Sequence, residues 1–305
     1  MPTTEIDIDE PLVRRLLATV HAPLRHLADG PITHVGQGWD NSVWRVGDPD
    51  AAEYAVRIPL RAAAAGIIET ATTWLAEVAE PVRVRGMNVP MPVFQGIRRV
   101  ELPWTWALLE WVPGQLLNCV PVPERTPAAR ALSRSLPALH RPALPEAPVN
   151  PARGVPLSGR RRVTESQEPA AREHLGHDVV DELLALIALA ESAPPWPHPV
   201  VWCHGDLHVG NVVLAEDDAV GLIDFDDLTS GDPAVDLRVL WTAFDAEDRE
   251  EAMSELEASG AYDPSIWVRA RGWAASSFLF PVAANPKGSV DYEAAIRHTC
   301  EQLLG

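Results

Sequence analysis

The chain has 305 residues, about two domains' worth, and its 47% apolar and 22% charged content excludes wholesale disorder. No apolar run reaches the ~18 residues of a membrane span, and Cys119, Cys203 and Cys300 are too few and too scattered for a disulfide framework or a paired-cysteine zinc site. A formal charge of −18 argues against a nucleic-acid backbone as partner and favours a cationic one. The first residues carry neither the basic nor the apolar part of a signal peptide, so a cytoplasmic protein with no membrane partner is expected.

Residues 12–27 have helical periodicity. Residues 34–46 read as strand, turn, strand, because Gly36, Gly38, Asp40 and Asn41 interrupt two short apolar stretches. A third strand is expected over 54–58, ended by Pro59, and an Ala-rich helix over 61–80, stopped by Pro81. Residues 93–96 and 104–112 add two strands. Beyond Pro113-Gly114 the pattern turns helical, with helices over 127–140 and 178–191 and a loop over 142–156. Short strands at 211–214 and 219–223 flank an acidic turn, and helices fill the remainder. This divides the chain into an N-terminal lobe (1–110), a hinge (111–114) and a C-terminal lobe (115–305).

The densest chemistry lies between Val201 and Leu240. His204-Gly205-Asp206-Leu207-His208 precedes one short strand and Asp224-Phe225-Asp226-Asp227 follows the next, so a hairpin brings Asp206, Asn211 and Asp224 to one end. Oxygen donors from Asn211 and Asp224 suit Mg²⁺, which keeps waters and takes phosphate oxygens. A carboxylate beside them, Asp206, can accept the proton of an attacking hydroxyl. These are the parts of phosphoryl transfer, which is mostly positioning and charge neutralisation. Each could be an ordinary turn residue, but the three occur together at one end of one hairpin.

HGDLHxxN followed by IDFxDxxxGDPAxDL resembles the signature of the aminoglycoside phosphotransferase-like antibiotic kinases. The resemblance implies an α+β, bilobal protein-kinase-like fold: a small antiparallel-sheet lobe with one helix, and a larger, mainly helical lobe. It implies Asp206 as catalytic base, His208 at the basic catalytic-loop position, and Asn211 and Asp224 as Mg²⁺ ligands. Asp236 matches the buried aspartate that braces the loop, and Asp232 a structural turn. Ser42 lies in the nucleotide-loop turn, Arg57 on the third strand as phosphate ligand, and Glu69 on the following helix as its partner, with Glu77 an alternative. Glu110, Trp111 and Val112 resemble a hinge that meets the base of ATP or GTP.

Three departures stand out. Arg57 replaces the usual lysine, and Lys287 is the chain's single lysine. Asp226 replaces the glycine of DFG, and Asn41 interrupts the glycine-rich loop, leaving backbone N–H groups and the Ser42 hydroxyl for phosphate. His204 and His208 have HxxxH spacing without a third zinc ligand, so His204 reads as a loop brace. The function expected is transfer of a nucleoside triphosphate's γ-phosphate to a hydroxyl of a small, cationic antibiotic, first an aminoglycoside, then a macrolide or peptide. The acidic residues near 245–257 are expected to recognise amines. Alternatives are a metabolic kinase of choline, homoserine or sugar type, a silent nucleotide-binding pseudokinase, and a metallophosphoesterase. The last lacks its downstream GNH motif.

Overall fold

The computed structural model describes residues 4–48, 52–284 and 290–305, so Lys287 lies outside the described residues. The chain forms two compact units, Met1–Glu80 with Val89–Pro113, and Pro81–Asn88 with Gly114–Gly305.

The first unit begins with α1 (Glu10–Leu17), capped by Asp9, whose Oδ1 accepts the Leu12 amide at 2.8 Å. Its apolar face buries Leu12, Val13, Leu16 and Leu17. The one helix expected over 12–27 is two pieces: His21 is extended ahead of Pro23, and a 3-10 stretch, Ala22–Ala28, follows. Strands β1 (Ile32–Gln37), β2 (Asn41–Asp48) and β3 (Ala52–Pro59) lead to α2 (Ala62–Arg83), then β4 (Pro92–Gly96) and β5 (Trp106–Glu110). The sheet order is β1-β2-β3-β5-β4, antiparallel throughout. Trp44, Val46, Val56, Ile58, Trp106 and Leu108 join α1 in one core. Helix α2 does not stop at Pro81 but runs to Arg83. In the last turn the missing N–H removes only one bond from the ladder.

Entry to the second unit is fixed by Gly114, whose φ of +128° is closed to other residues; a Cβ there would lie 2.6 Å from Val213 Cγ1. Strand β6 (Gln115–Leu116) precedes α3 (Thr126–Leu139), α4 (Arg161–Leu175) and α5 (His177–Ser192). Strands β7 (Val201–Cys203), β8 (Val212–Leu214), β9 (Val220–Leu222) and β10 (Thr229–Gly231) follow. They form two small sheets, β6-β8-β9 and β7-β10. Helices α6 (Ala234–Leu237), α7 (Val239–Ala243), α8 (Ala246–Ala258), α9 (Ile266–Ala284) and α10 (Val290–Leu304) complete it. The fold is α+β, as the sequence implies. Among the described residues no helix is long and apolar enough to cross a membrane.

Candidate active site

In the β8–β9 hairpin Val212 pairs with Leu222 and Leu214 with Val220. One step beyond the ladder, Ile223 N donates to Asn211 O at 3.0 Å, which sets Asn211 beside the residue preceding Asp224. The Asn211 amide nitrogen donates to the Asp206 carbonyl at 2.9 Å. Asp206, Asn211 and Asp224 thus gather at one end of the hairpin. The side chain of Asn211 is buried, and its bond to Asp206 leaves Oδ1 as the amide's acceptor oxygen.

Two guanidinium groups meet one oxygen of Asp206. Arg238 Nη2 donates to Oδ1 at 2.6 Å, and Arg153 Nη2 lies 3.0 Å from the same atom. Among the described residues, Oδ2 meets His208 Nε2 at 3.5 Å. His208 Nδ1 accepts the Gly210 amide at 2.9 Å, so its proton sits on Nε2, facing Asp206. Burial opposes the charge on Asp206, but the His208 hydrogen bond and the two arginines outweigh it and hold the carboxyl well below the usual range. Arg238 is buried on α7's approach and also donates to Leu207 O and Ser277 Oγ.

The loop that carries Asp206 hangs on Asp236. This fully buried carboxylate accepts the amides of His204 (2.7 Å) and Gly205 (2.8 Å), and contacts His140 Nε2 at 3.1 Å. Burial opposes its ionisation, yet these partners keep its carboxyl below the ordinary value. His140 in turn meets the Tyr262 hydroxyl at 2.8 Å. His204 is buried, reaches Ile223 O through Nε2 at 2.9 Å, and lies against the Phe225 ring with centroids 4.4 Å apart. Gly205 has φ +84°, and a Cβ there would sit 2.1 Å from the Asp227 carbonyl oxygen, so only glycine lets the two segments touch. Asp232 accepts the Ala234 amide at 3.0 Å and pairs with Arg269 at 2.7 Å.

Asp224 has φ +65° and ψ 64°, a left-handed conformation that costs a non-glycine residue energy and marks functional loops. Phe225–Asp227 then make a single 3-10 turn. Asp226 keeps a negative φ, so the position needs no glycine; the left-handed step falls on Asp224 instead. The donor set fits magnesium: two oxygen-bearing side chains hold such an ion with waters and substrate phosphates. Among the described residues no cluster of three or more His, Cys, Asp or Glu is placed to bind a metal by itself.

On the first unit, Ser42 is buried in β2; its hydroxyl accepts from Trp44 Nε1 at 2.9 Å and contacts His34 Nε2 at 3.3 Å. The adjoining turn is closed by Gly38 N to Asn41 O at 2.9 Å. Arg57 pairs with Val43 and Ala107 in the middle of the sheet. Glu69 on α2 accepts the Thr105 hydroxyl at 2.5 Å and lies 3.7 Å from Arg98. Glu110 ends β5, donating its amide to Met91 O at 2.9 Å; Trp111 N donates to Glu53 O at 3.1 Å. The Trp111 ring carries Arg45 at 5.2 Å, and Val112 is buried.

The structure adds residues that the motifs did not reveal: Arg153, Arg238, Asn150 and His140. The acidic run near 245–257 has partners of its own within this unit. Asp245 caps α8, Asp248 accepts from Thr126, Glu251 takes both nitrogens of Arg130 at 3.1 and 3.3 Å, and Glu255 meets Ser133 and Arg134. Matching spacing on two helices running the same way zips α8 onto α3, so these carboxylates serve packing. A cavity of about 430 Å³ lies elsewhere in this unit, walled by Val155, Leu157, Trp196, Trp273, Glu191 and Asp232 among others.

A family profile described as the phosphotransferase enzyme family matches residues 31–273. No curated protein sequence matches. Among solved structures, the GDP complex of wild-type aminoglycoside 2′-phosphotransferase-IIIa is 15% identical, with a TM-score of 0.64 over 97% of each chain. Macrolide 2′-phosphotransferase type I is 20% identical, with a TM-score of 0.56 over 100% of this chain and 99% of that one. The macrolide 2′-phosphotransferase apoenzyme from Brachybacterium faecium is 19% identical, with a TM-score of 0.59 over 88% of this chain and 91% of that one. These likenesses carry the fold. The profile, spanning most of the sequence together with the Asp206–Asp224 motifs, carries the class of chemistry: the chain belongs to the phosphotransferase enzyme family and is a phosphotransferase acting on hydroxyl groups.

Proposed function

We propose that this enzyme moves the γ-phosphate of ATP or GTP to a hydroxyl of an antibiotic, an aminoglycoside first. The observation that carries the chemistry is the gathering of Asp206, Asn211 and Asp224 at one hairpin end, with Oδ2 of Asp206 lightly engaged. Relatives of this fold solved with GDP and kanamycin, and with gentamicin, support the acceptor class.

In the reaction the acceptor oxygen bonds to the γ-phosphorus, the bond to the β–γ bridging oxygen breaks, and the nucleoside diphosphate leaves. The acceptor proton passes to Asp206 Oδ2. A strongly ionised Asp206 is a weak base, which suits a loose transition state in which the proton leaves late. Asn211 and Asp224 would hold Mg²⁺, which would supply charge neutralisation at the phosphates. His208, with its Nε2 proton beside Asp206, orients the carboxylate. Arg57 is assigned to the α/β-phosphates, Glu69 to supporting it, Ser42 and its turn to the triphosphate, and Glu110 to Val112 to the base. His204, Asp232 and Asp236 hold the catalytic loop.

A second reading has a less polar, macrolide-type acceptor. Its support is the likeness in fold to two macrolide 2′-phosphotransferases. The test is a panel of aminoglycosides, macrolides, choline, homoserine and sugars, each with ATP and GTP, read by mass for one added phosphate. Asp206→Ala is expected to abolish the product, a loss of ~10³-fold or more, while nucleotide still binds. Full turnover by that variant would remove the assignment; a product only on choline, homoserine or a sugar would move the acceptor out of the antibiotic class.

A further inference from the structure

The segment 148–154 connects α3 to α4 and carries no motif, yet it is stitched along the chain that follows Asp224. Ser230 N donates to Pro148 O at 2.8 Å, Asn150 N to Thr229 Oγ1 at 2.8 Å, and Asp232 N to Gly154 O at 2.9 Å. Gly154 has φ +64°, and a Cβ on the facing Gly231 would lie 2.3 Å from Gly154 O, so the backbones touch directly. Ala152 O takes Arg160 Nη1 at 2.6 Å, and Arg160 stacks on Trp273 at 5.2 Å. The segment is therefore held at several points, and Arg153 is borne on a fixed support.

From that support Arg153 joins two carboxylates. Its Nε and Nη2 lie 3.1 and 3.0 Å from Asp227 Oδ2, and the same Nη2 lies 3.0 Å from Asp206 Oδ1. Asn150 Nδ2 holds the other Asp227 oxygen at 2.7 Å. Burial, then repulsion from Arg153 and Arg238, brings the neighbouring Arg160 down to about 10. Asp206 and Asp227 offset part of this repulsion among the three cations.

We propose that Arg153 is a positioning residue for phosphoryl transfer: its guanidinium ties Oδ1 of Asp206 to Asp227, and through it to the turn that follows Asp224, so that Oδ2 faces the acceptor. Arg238 grips Oδ1 from the buried side, whereas Arg153 links it to Asp227. The inference rests on Asp206 being the base. A planar fork is needed, because a lysine is a point charge that cannot address both carboxylates in one plane.

The test uses the full chain with Mg-ATP and Mg-GTP, water standing in for the acceptor: water attacks the γ-phosphorus, the diphosphate leaves, and the proton goes to Asp206. Arg153→Ala is expected to lower kcat for this hydrolysis by ~10²-fold, the scale of a roughly 1 Å misplacement, with KM for the nucleotide and thermal melting little changed. Added guanidinium ion should restore part of kcat to Arg153→Ala, and Arg153→Lys should recover less than the rescued alanine variant. Arg161→Ala, a surface pair with Glu191, serves as the control with unchanged rates. Should the alanine variant fail to fold, Arg153→Gln with the same rescue decides the matter. Arg153→Ala with full kcat, or a loss that guanidinium does not touch, overturns the proposal. If Asp206→Ala is inactive in that experiment, only Arg153 has been misassigned; if Asp206→Ala hydrolyses normally, the base assignment falls with it.

Discussion

Asp236 shows how much of a kinase-like site depends on one side chain that never meets substrate. Its two oxygens accept two loop amides and a histidine nitrogen in a dry interior. Asp236→Asn keeps the shape but turns an N–H₂ group toward one of those donors, leaving a buried donor unpaired. A loss of about 3 kcal/mol is expected, in the range for breaking a buried ionic contact, read by urea unfolding. The pH dependence has a definite sign. Because the folded carboxyl is held below its unfolded value of about 4, its stabilisation is complete above that pH and is lost as pH falls through the folded value. The wild-type protein should therefore lose stability more steeply below about pH 4 than Asp236→Asn; equal acid slopes would show that folding does not lower the Asp236 pKa. The sequence made Asp206, Asn211, Asp224 and Asp236 visible because fixed spacings on a hairpin and a helix start carry their geometry. Arg153 had no such marker: it sits in a proline-rich loop whose course is set by Gly154 meeting Gly231, a contact between positions far apart in the chain.

Elements differ in legibility for the same reason. Strands β1 to β5 alternate or run apolar between turn residues and were visible in outline. Helix α4 was not, because it buries little beyond Thr164 and Ala171 and contains Pro169, so it offers no apolar stripe. Strands β7 and β10 are three residues each and pair with one another, with Val201 of β7 also bridged to Pro142. Helices α5 and α9 hold a sharper lesson. Gly272 is an unremarkable glycine in an Ala-rich helix, yet a Cβ there would lie 2.2 Å from Ala190 Cβ and 3.1 Å from Leu157 Cδ1. Helix propensity alone favours Gly272→Ala by ~1 kcal/mol; the clash with the Ala190 side chain on α5 reverses the sign. We expect net destabilisation of roughly 1–2 kcal/mol in urea unfolding, and partial recovery when Ala190→Gly is added. A stabilised Gly272→Ala would mean that α5 and α9 are not so closely packed.

At the scale of the molecule, the charge of −18 and its concentration toward the C-terminal third invite a simple electrostatic account of acceptor choice. Sixteen acidic residues against two arginines between Val212 and Asp263 look like a cation trap. The contacts give a different account. Glu251 and Glu255 face Arg130 and Arg134 on α3, Glu257 holds Trp267 Nε1 at 2.5 Å, and Asp263 meets Arg269 at 2.6 Å. A net field of this size still draws polycations toward the protein over distances of about one Debye length, ~8 Å at physiological salt, but attraction over the surface is not recognition at a site. The two contributions separate in one experiment. Replacing Glu251 and Glu255 together by Gln removes two charges from the α3–α8 seam and should lower the melting temperature. The KM for kanamycin, if it is phosphorylated, should stay within about twofold, because pairs this exposed are screened and lie in the packing of two helices. A tenfold rise in that KM, with melting unchanged, would place α8 at the acceptor and return the acidic run to the role its composition suggests.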